Sequence, residues 1–476
     1  MKRVLRLCGV LWGVAAFLMS SPVASAQDTL ALTLDEALQI AESKSLTVRI
    51  ADKEIRKSGY AKKGTYASLF PQIDFNGNYQ RTIKKQVMAM KMNGQTNKIA
   101  VGTDNLFNVG FSAAMPIVNF PLWKSLKITG KSVDLAVEQA RQSRQDLINQ
   151  VEQAFYGCLL ASDSYEVYKE NYENAKENYN DTKSKYESGR VAKYDMIRSE
   201  VNMQNAEPNV YNALNAMTIA MWQLKALIGI DLDTDIKCVG SLDDYSGRIN
   251  AISVASDSID LSRNSTLKQL EIQSDILDET AKMQIAQYYP SLSASLSYSW
   301  ITMADNFKFK EYDWNPYSVA GLSLTIPIFS GGKRYYDLKQ TKVQQEQIAL
   351  QRENAERNLI VAVKQNLSSM ENALKQYNAA KASIDGAETG YEIAKKRYEV
   401  GSGTVLETND ALLALLQARL NLKSAIHSCL VAKSALDLTL GINANDAEAY
   451  GSTDEYARPK IIRYEDVQKE EAGATL

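Results

Sequence analysis

The sequence repeats itself. Over most of its length one pattern occurs twice at an offset of 212 residues: Tyr186-Glu-Ser-Gly189 answers Tyr398-Glu-Val-Gly401 and Gly229-Ile230 answers Gly441-Ile442, while Pro116 corresponds to Pro327 one residue short of that offset. Earlier in each copy Phe70-Pro71 answers Tyr289-Pro290 at an offset of 219, so the first copy carries a longer insertion, placed where a loop absorbs it. A chain built this way folds as one duplicated unit, although its length has room for two or three unrelated domains.

Each copy contains a long stretch without proline, from Leu122 to Pro208 and from Ile328 to Pro459, which permits helices of unusual length. In the second copy Val363, Leu367, Met370, Leu374, Tyr377, Ile384, Ala387, Tyr391, Ala394 and Tyr398 recur at alternating steps of four and three, a heptad seam interrupted once, at Lys381. The first copy places Tyr165, Tyr172, Tyr179 and Tyr186 on the same seam, seven residues apart, as packed helix contacts and not as a ligand site. Each copy therefore reads as short helix, two strands, long helix, tight turn, short helix. The predicted helices are 33–67, 122–187 and 191–228, then 261–287, 333–399 and 403–440. At ~1.5 Å per residue the long members are roughly 100 Å, far beyond a globular domain and suited to a rod or tube.

Four segments alternate with period two. Ile73, Phe75, Gly77 and Tyr79 alternate with polar residues, as do Phe107, Val109, Phe111, Ala113 and Met115; Leu292, Ala294, Leu296, Tyr298 and Trp300 alternate with serines; Ala320, Leu322, Leu324 and Ile326 form a fourth set, weakened by Val319. The predicted strands are about 72–81, 107–116, 291–300 and 318–328, close to the length that crosses a bilayer when tilted. A soluble sheet edge has the same alternation, but aromatic residues near the strand ends and the N-terminus favour a membrane. That N-terminus has Lys2, Arg3 and Arg6, an apolar run from Leu7 to Met19 and Ala24-Ser25-Ala26, a secretory leader over 1–26. No later stretch has the length and apolarity of a membrane helix, so any crossing is made by strands. Four strands are too few to close a barrel, and open edges in lipid leave backbone groups unpaired. The chain is thus expected to associate with copies of itself, two, three or four of which supply 8, 12 or 16 strands. Segments 81–106 and 301–316 are the expected external loops.

With these elements in place the chain resembles the TolC family of outer-membrane efflux and secretion channels, over nearly the whole sequence after the leader. The resemblance rests on Pro327-Ile-Phe329-Ser-Gly331-Gly332, a proline-ended strand followed by a glycine turn, and on a motif of Tyr, Gly three later and an acid six beyond. That motif occurs as Tyr186, Gly189, Asp195 and as Tyr398, Gly401, Glu407. The resemblance implies a mainly α fold with a small membrane β part: duplicated coiled-coil hairpins forming an α-helical tunnel, and a 12-stranded β-barrel shared by a homotrimer. It implies an outer-membrane location, with the helical part in the periplasm. It further implies an exit duct that receives cargo from an inner-membrane RND or ABC transporter through a periplasmic adaptor (membrane fusion) protein. The adaptor would dock at the tips, around Gly189, Arg190, Gly401 and Ser402. Glu407 and Asp410 fall on the positions of an acidic pore constriction, and Tyr398 and Asp195 on those of an interhelix latch. A solvated first helical turn also favours acids and is the plainer account of Glu407 and Asp410. The resemblance divides the chain into a first repeat over 27–240, a linker over 241–259, a second repeat over 260–445 and a polar tail over 446–476.

The chain departs from the family pattern in three respects. A family arginine two residues past the second tip glycine is replaced by Gly403; Lys44-Ser45-Leu46 and Asn264-Ser265-Thr266 stand where Asn-Pro often opens each copy; and Pro208 lies inside a predicted helix, where it removes a hydrogen bond and should kink or interrupt it.

Little in the sequence suggests other chemistry. Without the leader 51 Lys+Arg face 56 Asp+Glu, a net charge of −5 that is no nucleic-acid footprint. Cys158, Cys238 and Cys429, odd in number and without a C-x-x-C pair, exclude a disulfide-stapled small fold and read as small buried residues. The single histidine, His427, sits in a helical pattern and reads as a packed or surface imidazole. Gly331-Gly332-Lys333 lacks Walker spacing, and no metal-ligand spacing occurs. No enzyme, cofactor or metal is expected. The rival from another class is a soluble periplasmic coiled-coil scaffold or adaptor, which shares the leader and hairpins but has no use for four one-sided strands.

Overall fold

The computed structural model describes residues 30–92, 95–247 and 260–442. The leader 1–26, residues 248–259 of the linker and the tail 446–476 lie outside the described residues. The described residues divide into two compact units, one formed by 30–49, 143–247 with 260, and 359–442, the other by 50–92, 95–142 and 261–358.

The first unit is helical. It holds α1 (Leu34–Lys44), the later part of α3 (Phe120–Glu187), α4 (Lys193–Ile228), the later part of α6 (Lys333–Glu399) and α7 (Val405–Leu440). Its core joins Ala37 and Ala41 of α1, Val151, Phe155 and Leu159 of α3, Leu224 and Ile228 of α4, Tyr377 of α6, and Ile426 and Leu430 of α7. Each large side chain so buried contributes roughly 1.5–3 kcal/mol relative to exposure. A small parallel pair, β1 (Leu30–Leu32) with β6 (Ile236–Cys238), packs on this core. A 3₁₀ turn at Leu242–Tyr245 follows, tied to α7 by Lys423, whose ammonium lies 2.7 Å from Asp243 and 3.0 Å from Asp163.

The heptad seam of α6 is present, with Val363, Met370, Tyr377, Tyr391 and Tyr398 buried. Its interruption is filled by Ala380, while Lys381 points outward. On α3 the four tyrosines are half-buried and flank the contact; the residues inside it are Asn171, Ala175, Asn178 and Thr182. Pro208 does not interrupt α4, which runs unbroken through it; it lies on the exposed face, where water can serve the carbonyl that loses its partner. The predicted helix 33–67 is two, because Ser45 is extended (φ −57°, ψ 131°) between α1, which opens on a Thr33–Glu36 capping box, and α2 (Leu46–Ala67).

The second unit holds α2 (Leu46–Ala67), α5 (Ser265–Ala286), the early parts of α3 and α6, and the larger sheet. Asn264 starts α5 by accepting from the amides of Thr266 (2.9 Å) and Leu267 (3.2 Å). The sheet is antiparallel, in the order β2 (Gln72–Arg81), β5 (Asn105–Val118), β7 (Ser291–Ala304), β8 (Asn315–Thr325). Its register sets apolar residues in lateral rows on one face: Ile73–Ala113–Leu296–Ala320, and Phe75–Phe111–Tyr298 with Ser318 at the end. The opposite face carries Asp74–Ser112–Ser297 and Asn76–Gly110–Ser299, ending at Val319 and Tyr317 of the edge strand. The apolar rows are left uncovered: Ile73 is 69% exposed and Leu322 71%. β8 begins earlier than its pattern, at Asn315, and takes in Pro316, a residue an edge strand tolerates. Within the first expected external loop a second hairpin forms from β3 (Gln86–Met92) and β4 (Gln95–Val101). Lys85 ties the two loops together through Asp104 (3.2 Å) and Asp305 (2.9 Å).

Candidate functional site

The candidate site is where α3 turns into α4 and α6 into α7, all within the first unit. Both turns end their long helix with a glycine at positive φ, 71° at Gly189 and 77° at Gly401. The Arg190 amide reaches back to the Lys185 carbonyl (2.8 Å), as the Ser402 amide does to Arg397 (2.9 Å), satisfying helix-end carbonyls. Nothing lies within 4 Å of where a Cβ would stand on either glycine, so backbone conformation and not space requires the residue. Arg190, Gly401 and Ser402 are all exposed around these turns.

Tyr398, on the last turn of α6, is buried against α3. Thr182 donates its hydroxyl proton to the Asn178 carbonyl (2.7 Å), which leaves the Tyr398 hydroxyl to donate to Thr182 Oγ1 at 2.9 Å. Lys185 lies over the Tyr398 ring, 3.8 Å from its centroid, donates to the Tyr398 carbonyl (3.2 Å) and pairs with Asp181 (2.9 Å). Burial raises the phenol above its ordinary pKa, so it remains a donor at neutral pH. The two long helices are thus latched at their ends by Thr182, Lys185 and Tyr398. Asp195, in the first turn of α4, acts on Tyr398 through its charge alone.

Glu407 and Asp410 lie exposed on one face of the first turns of α7, three residues apart. Thr404 caps that helix by accepting from the Glu407 amide (3.2 Å). The Glu407 carboxylate is 3.4 Å from Arg397, whose guanidinium also donates to the Ser402 carbonyl (3.2 Å). A Cβ on Gly403 would stand 3.0 Å from Arg397 Cβ and 3.1 Å from the Tyr398 nitrogen. The place the family gives to an arginine is therefore backed by Arg397 of the preceding helix, which sends a cation to the same acidic turn. Neither Arg397 nor Lys185 stood out in the sequence; each is one of many cations on a charged helix, and only the fold selects it.

Further along, Arg419 of α7 joins Glu170 of α3 (2.5 Å) and Glu388 of α6 (3.1 Å), and Lys395 joins Glu177 (3.1 Å). Among the described residues no cluster of His, Cys, Asp and Glu is arranged to hold a metal ion, and no helix is long and apolar enough to cross a membrane. His427 is half-buried, and desolvation lowers its pKa.

Long paired helices with glycine-turned tips, joined in one chain to a four-stranded sheet whose apolar rows are uncovered, define an outer-membrane channel subunit. The chain belongs to the outer membrane efflux protein family, whose model matches residues 37–230 and 258–442. It is 20% identical over 427 residues to the outer membrane protein TolC of Escherichia coli, covering 84% of this chain and 81% of that one. To the alkaline protease secretion protein AprF of Pseudomonas aeruginosa it is 22% identical over 315 residues, 65% of this chain and 64% of that one. The fold matches the crystal structure of the Campylobacter jejuni CmeC outer membrane channel with a TM-score of 0.66 at 16% identity, over 89% and 90% of the two chains. Family membership confirms the resemblance to the TolC family and places the protein in the outer membrane, so the soluble scaffold reading falls. The family is one of efflux and secretion channels, not enzymes.

Proposed function

We propose that three copies of this chain pool their sheets into one 12-stranded barrel above an α-helical tunnel. The trimer acts as the exit duct of a tripartite efflux or type I secretion system, fed by an inner-membrane RND or ABC pump through a periplasmic adaptor. The observation that carries this is the antiparallel sheet β2-β5-β7-β8. It has lateral apolar rows on one face and, among the described residues, a single bonded neighbour for each of its edge strands, β2 and β8. In lipid each unpaired backbone group costs several kcal/mol, and joining β8 of one copy to β2 of the next removes that cost all the way round. Three is the number the resemblance to the TolC family implies. In this reading Gly189, Arg190, Gly401 and Ser402 form the surface offered to the adaptor. Glu407 and Asp410 face the narrow end of the tunnel, and Tyr398 with Asp195 belongs to the latch that keeps it shut. The repeat boundaries at 27–240 and 260–445, with the linker and tail outside them, belong to the same reading.

The test is the purified, detergent-extracted protein. Native mass spectrometry is expected to give three chains per particle, and planar bilayers are expected to conduct after its addition. A monomer that carries no current overturns the proposal. A photo-crosslinking residue at Arg190 or Ser402 is expected to capture a periplasmic adaptor in the native host, whereas one at the exposed Lys57 of the second unit is not.

A further inference from the structure

The core of the first unit brings together two cysteines 80 residues apart in sequence. Cys158 lies midway along α3 and is fully buried; Cys238 ends β6 and is 8% exposed. Both are free thiols buried in one apolar cluster, and each bears directly on the ionisation of the other, as neighbouring sulfurs do. Two contacts that bracket Cys158 on α3 hold it against the segment that follows Cys238. Before Cys158, Tyr156 meets Tyr245 edge to face, ring centroids 5.3 Å apart; beyond it, the Leu242 amide donates to Asp163 at 3.0 Å. β6 is itself held to β1, with Cys238 opposite Leu32 and the Val239 amide bonded to the Leu32 carbonyl (2.8 Å). Cys429 lies in the same cluster, with burial pushing its thiol up to about 11 and neither of the other two thiols acting on it.

An outer-membrane protein folds after export, in an oxidising compartment where adjoining thiols do not stay reduced. We infer that Cys158 and Cys238 form a structural disulfide that staples β6, and through it the β1–β6 pair, to α3, leaving Cys429 as a free thiol. The bond forms by exchange with the disulfide of an exported thiol–disulfide oxidant. The thiolate of one cysteine attacks that disulfide and gives a mixed disulfide, with one oxidant sulfur leaving as a thiol. The second cysteine then displaces the other. Two S–H bonds are lost from this chain and two gained by the oxidant, whose disulfide takes up the electron pair. Burial of both sulfurs places the exchange before the core closes, and afterwards shields the bond from reductant.

The experiment is peptide mapping of protein taken from the outer membrane, denatured and alkylated without reductant. The expected result is one linked peptide containing Cys158 and Cys238, lighter by two hydrogens than its parts, with Cys429 alkylated. After reduction all three cysteines are alkylated and the linked species is gone. Recovery of Cys158 and Cys238 as separate alkylated peptides from the unreduced sample, or of either linked to Cys429, overturns the inference. Because this is read on the wild-type chain, no variant has to fold. Where Cys158→Ala does fold, reductant is expected to lower the unfolding midpoint of the wild type and leave that of the variant unchanged. Equal falls in both would mean that the wild type gains nothing from the bond, contrary to the staple.

Discussion

At the scale of single residues the latch and the lone histidine give separate readouts. Tyr398→Phe removes one hydroxyl and with it the bond to Thr182, while keeping the ring beneath the Lys185 ammonium. A buried neutral hydrogen bond is worth about 1 kcal/mol net, and the loss should appear in urea unfolding followed by helical circular dichroism. Tyr398→Leu also gives up the cation–π contact and should cost about 1 kcal/mol more. Equal stabilities for the two variants would take Lys185 out of the latch. His427 behaves differently, since desolvation holds its imidazole below the ordinary 6.5 and the folded chain favours the neutral form. The unfolded chain then binds a proton more readily. The associated stability is present in full above about pH 6.5 and is lost as pH falls from there towards the depressed folded value. His427→Gln should flatten the dependence of the unfolding midpoint on pH between 7 and 5, measured against the wild type; an unaltered slope would mean other groups carry it.

At the scale of elements, the β5–β7 junction sets the tightest demand. A Cβ on Gly110 would fall 2.5 Å from Ser299 Cα and closer still to the Tyr298 carbonyl oxygen, so a side chain there must push the two strands apart. Gly77, in the neighbouring strand, has room, with a Cβ meeting only Val109 Cγ1 at 3.6 Å. Gly110→Val is therefore expected to abolish recovery of the protein in the outer-membrane fraction, and Gly77→Ala to leave it intact, both read by fractionation and immunoblot. What the sequence made legible at this scale was periodicity. Period two in Ile73 to Tyr79 and Leu292 to Trp300 found the sheet strands, and the 212-residue offset found the paired turns. What it left hidden were features with no period. β1 and β6 are three residues each and find one another across some two hundred residues. The β3–β4 hairpin sits in a segment expected to be only an external loop. The first-copy seam was read from its tyrosines, yet the buried positions are Asn171, Asn178 and Thr182, because large amphipathic rings flank a tight helix contact more easily than they fill it. Asn171 is the cost of that choice: its Oδ1 is buried without a partner. Asn171→Leu should raise stability by about 1–2 kcal/mol in the same urea assay.

At the scale of the whole molecule, the question is whether Glu407 and Asp410 act on cargo or merely start a helix. In one chain they are exposed, with Arg397 beside Glu407, which as an acid in a first helical turn is stabilised there whatever its use, while Asp410 stands one turn further on. In the proposed trimer three such pairs would face one axis, and their summed field would concentrate cations at the narrowest point. The two accounts differ in conductance. Glu407→Ala with Asp410→Ala should reduce the preference for potassium over chloride in planar bilayers, and Glu407→Lys with Asp410→Lys should reverse it, if the carboxylates line the pore. Screening sharpens the comparison, because the Debye length is about 10 Å at 0.1 M salt and about 3 Å at 1 M. Charges spread over an open vestibule would lose their influence across that range, whereas charges within a few ångströms of the permeating ion would keep most of it. A wild-type preference that survives 1 M salt and disappears in the double alanine variant assigns the constriction to these residues. A preference identical in wild type and variant returns Glu407 to the first turn of its helix and Asp410 to a solvated helix face, and takes both out of the proposed constriction.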